Sequence, residues 1–442
     1  MMRCVIPIAL CAGLMLAIGN AAFAAPDIGL KAGTGKAKID PAPDLFPLFN
    51  GAGDAPMLAI HDSLYARALV VDGGGRRAIV IVADLIILPD ATYERLVDKI
   101  SETYGVQRSY IWLTATHCHT VPWTMDKGYE ETVTAGIMAA VHEASGSLEP
   151  VRVGRGDGEA FININRDEGV GSRFILGQDP EGPSDKTVRV AAFYRKDGSP
   201  LAILANYAVH PVSLHSSNTA SGRNGGMVSA DIPGVTNAFV DDHYGGKVMT
   251  FWTSGAAGDQ NPILMSYYSE PDSQGHVSAS DMNVAGFMVT QRLGESLGRE
   301  IIRITDRITP QNVIVPMRAD QVLIQCPSKA NPATSLPLRL SYLGIGPIDL
   351  LGVSGEVTTR IDQHMRSRLG QRSPLVLTLT NGYDGYLPDD ASYRRGQTFE
   401  VGKTAFAAGC TEGSLATGAA ALMHKTEPRS KTTQRYRNHK KG

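Results

Sequence analysis

Two histidines one residue apart, His117 and His119, close an apolar run in "TATHCHTVP", and a third, His210, closes another in "ANYAVHPVS". Imidazole exchanges protons near neutral pH and, when neutral, binds metals. Further along, Asp259 in "SGAAGDQNP", Glu356 in "LLGVSGEVTTR", and Tyr383 and Tyr386 in "TNGYDGYLP" also follow runs of β-prone residues. In layered α/β proteins the loops at the carboxyl ends of strands gather at one rim, where ligands bind. Loops carrying His, His, Asp, Glu and Tyr at such a rim read as a metal site. Zinc suits the set: imidazole and carboxylate are its usual ligands outside thiolate sites, and a catalytic zinc keeps a position open for water. If "HCH" continues a strand, residues i and i+2 share a face. Both histidines can then bind one metal, or one binds and the other handles protons. Cys118 would point the opposite way, into packing.

Each of these residues also has a plainer reading. Glu356 can cap a helix beginning at Thr358 and Thr359. Asp259 can close a turn, the two tyrosines can pack in a glycine-rich turn, and a lone His210 need bind nothing. The remaining histidines, His215 among them, are scattered and carry no assigned role. The glycine turns "GAGDAP" and "DGGG" lack a nucleotide-binding pattern.

The elements that must position these residues form a strand-rich alternation. "ARALVVD" and "RAIVIVAD" flank a glycine turn and predict a hairpin. Asp90 can cap a helix over 90–104, with Tyr93, Leu96, Val97, Ile100 and Tyr104 on one face and Gly105 as its stop. A strand follows at 110–116, then a helix over 132–144. "VRVAAFYR" and "LAILANYAV" predict a second hairpin. Helices at 232–244, 284–304 and 358–369 are interleaved with further strand-like runs ("VMTFWT", "VIVPMRADQVLIQC", "LRLSYLGIG", "IDLLGV", "PLVLTLTN"). The pattern predicts an α/β fold of layered mixed sheets with surrounding helices, in a single large domain without internal repeat.

Arg3, the apolar stretch after it and the small-x-small site at Ala22-Phe23-Ala24 read as an export signal over 1–24, which places the protein in the periplasm or outside the cell. No other apolar run is long enough to span a membrane. An oxidising compartment permits a Cys326–Cys410 disulfide, with Cys118 left over. The net charge of −2 argues against a nucleic-acid partner. The basic stretch within 426–442 reads as a disordered, solvated tail to a domain over 25–425.

At these residues the sequence resembles the neutral (alkaline, non-lysosomal) ceramidase family over its N-terminal catalytic domain. "ATHCHTVP" is similar to the family's "THTHSGP", the segment ending "NYAVHPVSL" to one ending "AVHPTS", and "SGEVTTR" to "PGEFTT". "NGYDGYLPDDASY" is similar to its Tyr-x-x-Tyr segment. The resemblance implies one zinc held by His117, His210, Glu356 and Tyr386. It implies His119 beside the substrate as a proton carrier and Arg166, in "NINRD", against the substrate amide. The implied function is an exported zinc-dependent hydrolase that cleaves the amide of a small-molecule or lipid N-acyl substrate with zinc-activated water, as in sphingolipid metabolism. We expect neighbouring acceptors to orient the two imidazoles, with Asp84 and Asp259 as candidates by position. Two departures stand out. Asn261 occupies the position of a family serine near the scissile amide; it cannot be a nucleophile, although its amide can donate to an oxyanion. The chain is also read as ending about where the catalytic domain would, an expectation that leaves out the family's immunoglobulin-like domain. Both leave open a different N-acyl, ester or lactone substrate, or a non-catalytic exported binding protein.

Overall fold

The computed structural model describes residues 29–425 apart from 51–54, 125, 127, 222–223, 273, 314–316 and 371. The expected signal (1–24) and basic tail (426–442) lie outside the described residues.

One arrangement recurs in three sheets. In the first, strand Tyr65–Gly73 turns through Gly74 and Gly75 into antiparallel Arg76–Ala83. Both glycines have positive φ (59° and 75°), as a tight hairpin turn of this hand requires. Helix Asp90–Tyr104 then crosses over, strand Ile111–Ala115 returns parallel to Arg76–Ala83, and Lys31–Lys38 pairs antiparallel on the other side of the hairpin. The second sheet repeats this order with hairpin Thr187–Tyr194 and Pro200–Tyr207, helix Asp231–His243, parallel strand Met249–Ser254 and flanking strand Arg152–Glu159. The third uses Ser335–Ile345 and Ile348–Val353, helix Thr359–Leu369, strand Leu375–Leu377 and flanking strand Arg318–Pro327. The sequence shows no repeat because this topology needs apolar, β-prone runs at the right places, not particular residues.

The fold is the expected α/β domain with layered mixed sheets. Three buried apolar clusters form its core. The first is centred on the first sheet and reaches into the other two; the second and third lie chiefly on their own sheets and the helices that cover them. Two expected helices begin elsewhere: Tyr129–Gly146 starts three residues earlier than read, and Gly286–Thr305 two residues later. Helix Asp90–Tyr104 buries Tyr93, Leu96, Val97 and Ile100 and ends at Gly105 (φ 64°), as expected. Asp90 does not cap it. Pro89 occupies the N-cap, and Asp90 Oδ1 instead accepts from the Tyr383 backbone N–H at 3.0 Å.

The carboxyl ends of the sheets are sewn together. Ala115 N–H donates to Leu379 O (3.3 Å), Asn381 N–H to Leu113 O (2.8 Å) and Thr378 N–H to Ser254 O (3.0 Å). Asn206 Nδ2 donates to Val376 O at 3.0 Å. The loops leaving three sheets therefore share one rim. The Cys326–Cys410 disulfide forms, tying the edge strand of the third sheet to the start of helix Thr411–Lys425, while Cys118 is buried and free. Among the described residues no helix is long and apolar enough to cross a membrane.

Candidate metal centre

Strand Ile111–Ala115 stops two residues before His117, which sits at φ 69°. A left-handed conformation costs a non-glycine residue about 1–3 kcal/mol and persists only where its surroundings enforce it. Here the His117 N–H donates to Leu85 O at 2.9 Å and Nδ1 to Ile86 O at 2.6 Å. The "HCH" segment is thus a turn and not the expected strand, because the first sheet's neighbouring loop takes its backbone. The turn still brings His119 Nε2 to 3.3 Å from His117 Nε2. Cys118 packs as expected, fully buried, with its thiol donating to Ala230 O at 3.0 Å.

His210 arrives from the second sheet and is anchored in the same way, Nδ1 donating to Ala257 O at 2.6 Å. Both Nε2 atoms are therefore left with lone pairs, and they face each other 3.0 Å apart. Glu356, from the third sheet, completes a triangle: its Oε2 lies 3.2 Å from His117 Nε2 and 3.1 Å from His210 Nε2. All three residues are buried. Electron pairs gathered this closely away from water need a cation between them. A proton is disfavoured, since burial, with Arg166 adding to it, lowers His210 to about 4. The ring nitrogens of His117, His119 and His210 also lie within 4.8 Å of one another, so these residues could hold a metal ion. Two imidazoles and a carboxylate fit zinc.

The imidazoles are not oriented by Asp84 or Asp259. Their acceptors are the backbone carbonyls of Ile86 and Ala257. Asp84 instead takes the Tyr65 N–H (2.9 Å) and Arg67 (3.1 Å) inside the first sheet. Asp259 accepts from Thr359 N and Oγ1 (2.9 and 2.8 Å) and from Asn165 (3.1 Å), joining the loop below His210 to the helix after Glu356. Glu356 does not cap that helix; Thr358 occupies the N-cap.

Tyr386 lies alongside. Its ring is nearly parallel to His210 (16°), with centroids 6.5 Å apart. Burial, then the Glu356 charge, raises its phenol. Strand Glu356–Val357 pairs directly with Tyr386–Leu387, which brings the two residues together. Tyr383, which pattern alone reads as packing, donates its hydroxyl to Glu356 Oε1 at 2.8 Å. Arg166 is buried beside the triangle, with Nη1 3.4 Å from His210 Nδ1. Asn261 pairs with Ile164, two residues from Arg166, and its Oδ1 is buried without a partner. His119 has an unpartnered Nδ1 and meets His215 edge-on, ring centroids 5.0 Å apart. Sequence pattern gave His215 no role, since nothing in the chain order pairs it with His119.

The family model for the neutral/alkaline non-lysosomal ceramidase N-terminal region matches residues 57–281. The chain belongs to this family. The matched segment contains His117, His119, Arg166, His210 and Asn261; Glu356 and Tyr386 lie beyond it. Neutral ceramidase B of Dictyostelium discoideum is 28% identical over 209 residues, a segment covering 41% of this chain and only 28% of that relative's length. Two solved structures share the fold at 17% identity and a TM-score of 0.73, each match covering 91% of this chain. One is a ceramidase complexed with C2, of which 77% is covered; the other is neutral ceramidase from Pseudomonas aeruginosa, of which 76% is covered.

Proposed function

We propose that this ceramidase-family chain is an exported, zinc-dependent amidohydrolase that cleaves the amide of ceramide or a related N-acyl lipid. One observation carries the reading: two Nε2 lone pairs and a carboxylate oxygen, each about 3 Å from the others, in a buried pocket. His117, His210 and Glu356 would hold the metal, with the Tyr386 phenol as the further oxygen donor. Zinc, when bound, supplies Lewis acidity, polarising a carbonyl and lowering the pKa of water to about 7. The chain's own residues supply the rest. Arg166, fixed beside His210, donates to the oxygen on which negative charge grows as the amide is attacked. Asn261 offers no nucleophile, and its Nδ2 is directed at the Met265 sulfur at 3.6 Å. His119 takes the proton released by the attacking water and passes it to the leaving amine nitrogen. The Cys326–Cys410 bond and the signal-like first residues support export to an oxidising compartment.

The test is His117→Ala in the full chain, with zinc counted by elemental analysis and hydrolysis followed on a panel of ceramide, other N-acyl lipids, acylated amino sugars and esters. Loss of both zinc and turnover is expected; survival of both rejects the site. The change at Asn261 favours a second reading, in which the acyl compound is not ceramide, and turnover of ceramide alone on the panel would remove it.

A further inference from the structure

Arg166 is gripped from far along the chain. Its Nε donates to Glu400 Oε1 at 2.8 Å, and its Nη2 lies 2.8 Å from the same oxygen. The guanidinium carbon stands 5.4 Å from the Tyr386 ring centroid and 5.1 Å from that of Phe399. Glu400 and Phe399 belong to the short helix Phe399–Lys403, well outside the matched family segment. Nη1 is on the other side, against the His210 ring. The N–H of that ring is already committed to Ala257, so Nδ1 does not accept from Nη1, which also lies 3.5 Å from His210 Nε2 in the metal pocket.

Asp167 stands behind Glu400. The two acids are 1% and 0% exposed, and Asp167 Oδ1 and Glu400 Oε2 have no hydrogen-bond partner. Asp167 Oδ2 accepts from Arg395 at 2.9 Å. Burial, then the adjacent Glu400, raises the Asp167 carboxyl to about 8. The Nε hydrogen bond to Glu400, with the Tyr386 and Phe399 rings beside the guanidinium, sets its direction.

We propose that Glu400 is a positioning residue: it holds the Nε/Nη2 edge of Arg166 so that Nη1 is aimed over the metal pocket as a donor to a tetrahedral anion. The identity of that anion as an amide-hydrolysis intermediate rests on the amidohydrolase reading; the grip itself does not.

The experiment uses the zinc-loaded full chain and inorganic phosphate as the tetrahedral anion, with affinity measured by calorimetry and zinc content checked in every variant. Glu400→Ala should weaken phosphate binding about tenfold or more, the scale of one lost charge-assisted hydrogen bond, with zinc retained. Glu400→Gln, which keeps an acceptor oxygen in place, should restore most of the affinity. Glu400→Ala added to Arg166→Ala should cost nothing further, a result that general loosening of the fold would not give. Glu400→Asp withdraws the carboxylate by one methylene and serves if the alanine variant does not fold; it too should lose affinity. Equal affinity in wild type and either shortened variant, multiplying losses in the double variant, or no phosphate binding by the wild type overturns the proposal. A wild type that shows this graded binding yet hydrolyses no N-acyl compound rejects the hydrolase reading and leaves the grip standing.

Discussion

The two corners of the site are built by opposite means. At the metal corner, His117 and His210 are each fixed by one bond from Nδ1 to a main-chain carbonyl, 2.6 Å long in both cases, although they come from different sheets. At the guanidinium corner, Arg166 is fixed by a buried carboxylate and two aromatic rings, all side chains. Carbonyl anchors cannot be removed by changing the residue that carries them; they fail only when the backbone moves. Side-chain anchors can be deleted singly. The metal corner should therefore respond to substitutions that shift loops, and the guanidinium corner to substitutions that remove one group.

Arg166→Ala separates the two corners most sharply. It removes the proposed donor to developing charge and leaves every candidate ligand in the chain, so zinc content should stay near wild type while turnover falls by about 10²–10³, the usual cost of losing one such donor. Loss of zinc in this variant would merge the corners into one. Gly258→Ala attacks from the other side without altering any ligand. A Cβ there would lie 2.7 Å from Glu356 O and 2.9 Å from the Val357 carbonyl atoms, which forces apart the loop carrying Ala257 O and the strand carrying Glu356. Zinc affinity should drop about 10–100-fold, as when an imidazole loses its orienting partner, in a protein whose circular dichroism is unchanged. Unaltered affinity would mean that the carbonyl anchor is not what fixes His210.

Acid offers a third probe, on the metal-free protein. His210 is lowered from 6.5 to about 4, so below pH 6.5 the unfolded chain takes a proton that the folded chain refuses. Its contribution to stability is complete above about pH 6.5 and is lost as pH falls to about 4. The melting temperature of EDTA-treated protein should decline across that window, and His210→Ala should flatten the decline. A flat profile in the unsubstituted protein would mean that His210 is not held neutral.

These differences also explain what could be read from sequence. The residues gathered at the candidate metal centre, His117, His210 and Glu356, were legible because each side chain ends a β-prone run, and strand ends converge on a rim. Their anchors were not, since a carbonyl has no residue identity; Asp84 and Asp259 were the natural guesses, and both are committed elsewhere. The His117 turn was hidden because nothing in "TATHCHTVP" favours positive φ; the bonds to Leu85 and Ile86 impose it. The class of the fold was legible from alternating hairpins and helices, but its threefold recurrence was not, being a property of strand pairing. Glu400 was invisible because a short helix late in the chain shares no spacing with Arg166.

Tyr383 is where the comparison is most finely poised, since it is a side-chain anchor inside the metal corner. Its hydroxyl donates at 2.8 Å to Oε1 of Glu356, the oxygen turned away from the imidazoles. That bond selects Oε2 for the triangle. Burial, then the Glu356 charge, raises the phenol, so it stays a donor at any working pH. Tyr383→Phe deletes one hydrogen bond to a charged group and leaves the ring in place. The carboxylate can then rotate, and zinc affinity should fall about tenfold, at the mild end of the cost of losing a partner to a metal ligand. Chelator competition would measure it, with the melting temperature of the metal-free protein little changed. A loss as large as that from Gly258→Ala would mean that the metal corner depends on side chains as much as the guanidinium corner does. No loss at all would mean that Val357–Leu387 pairing alone orients Glu356.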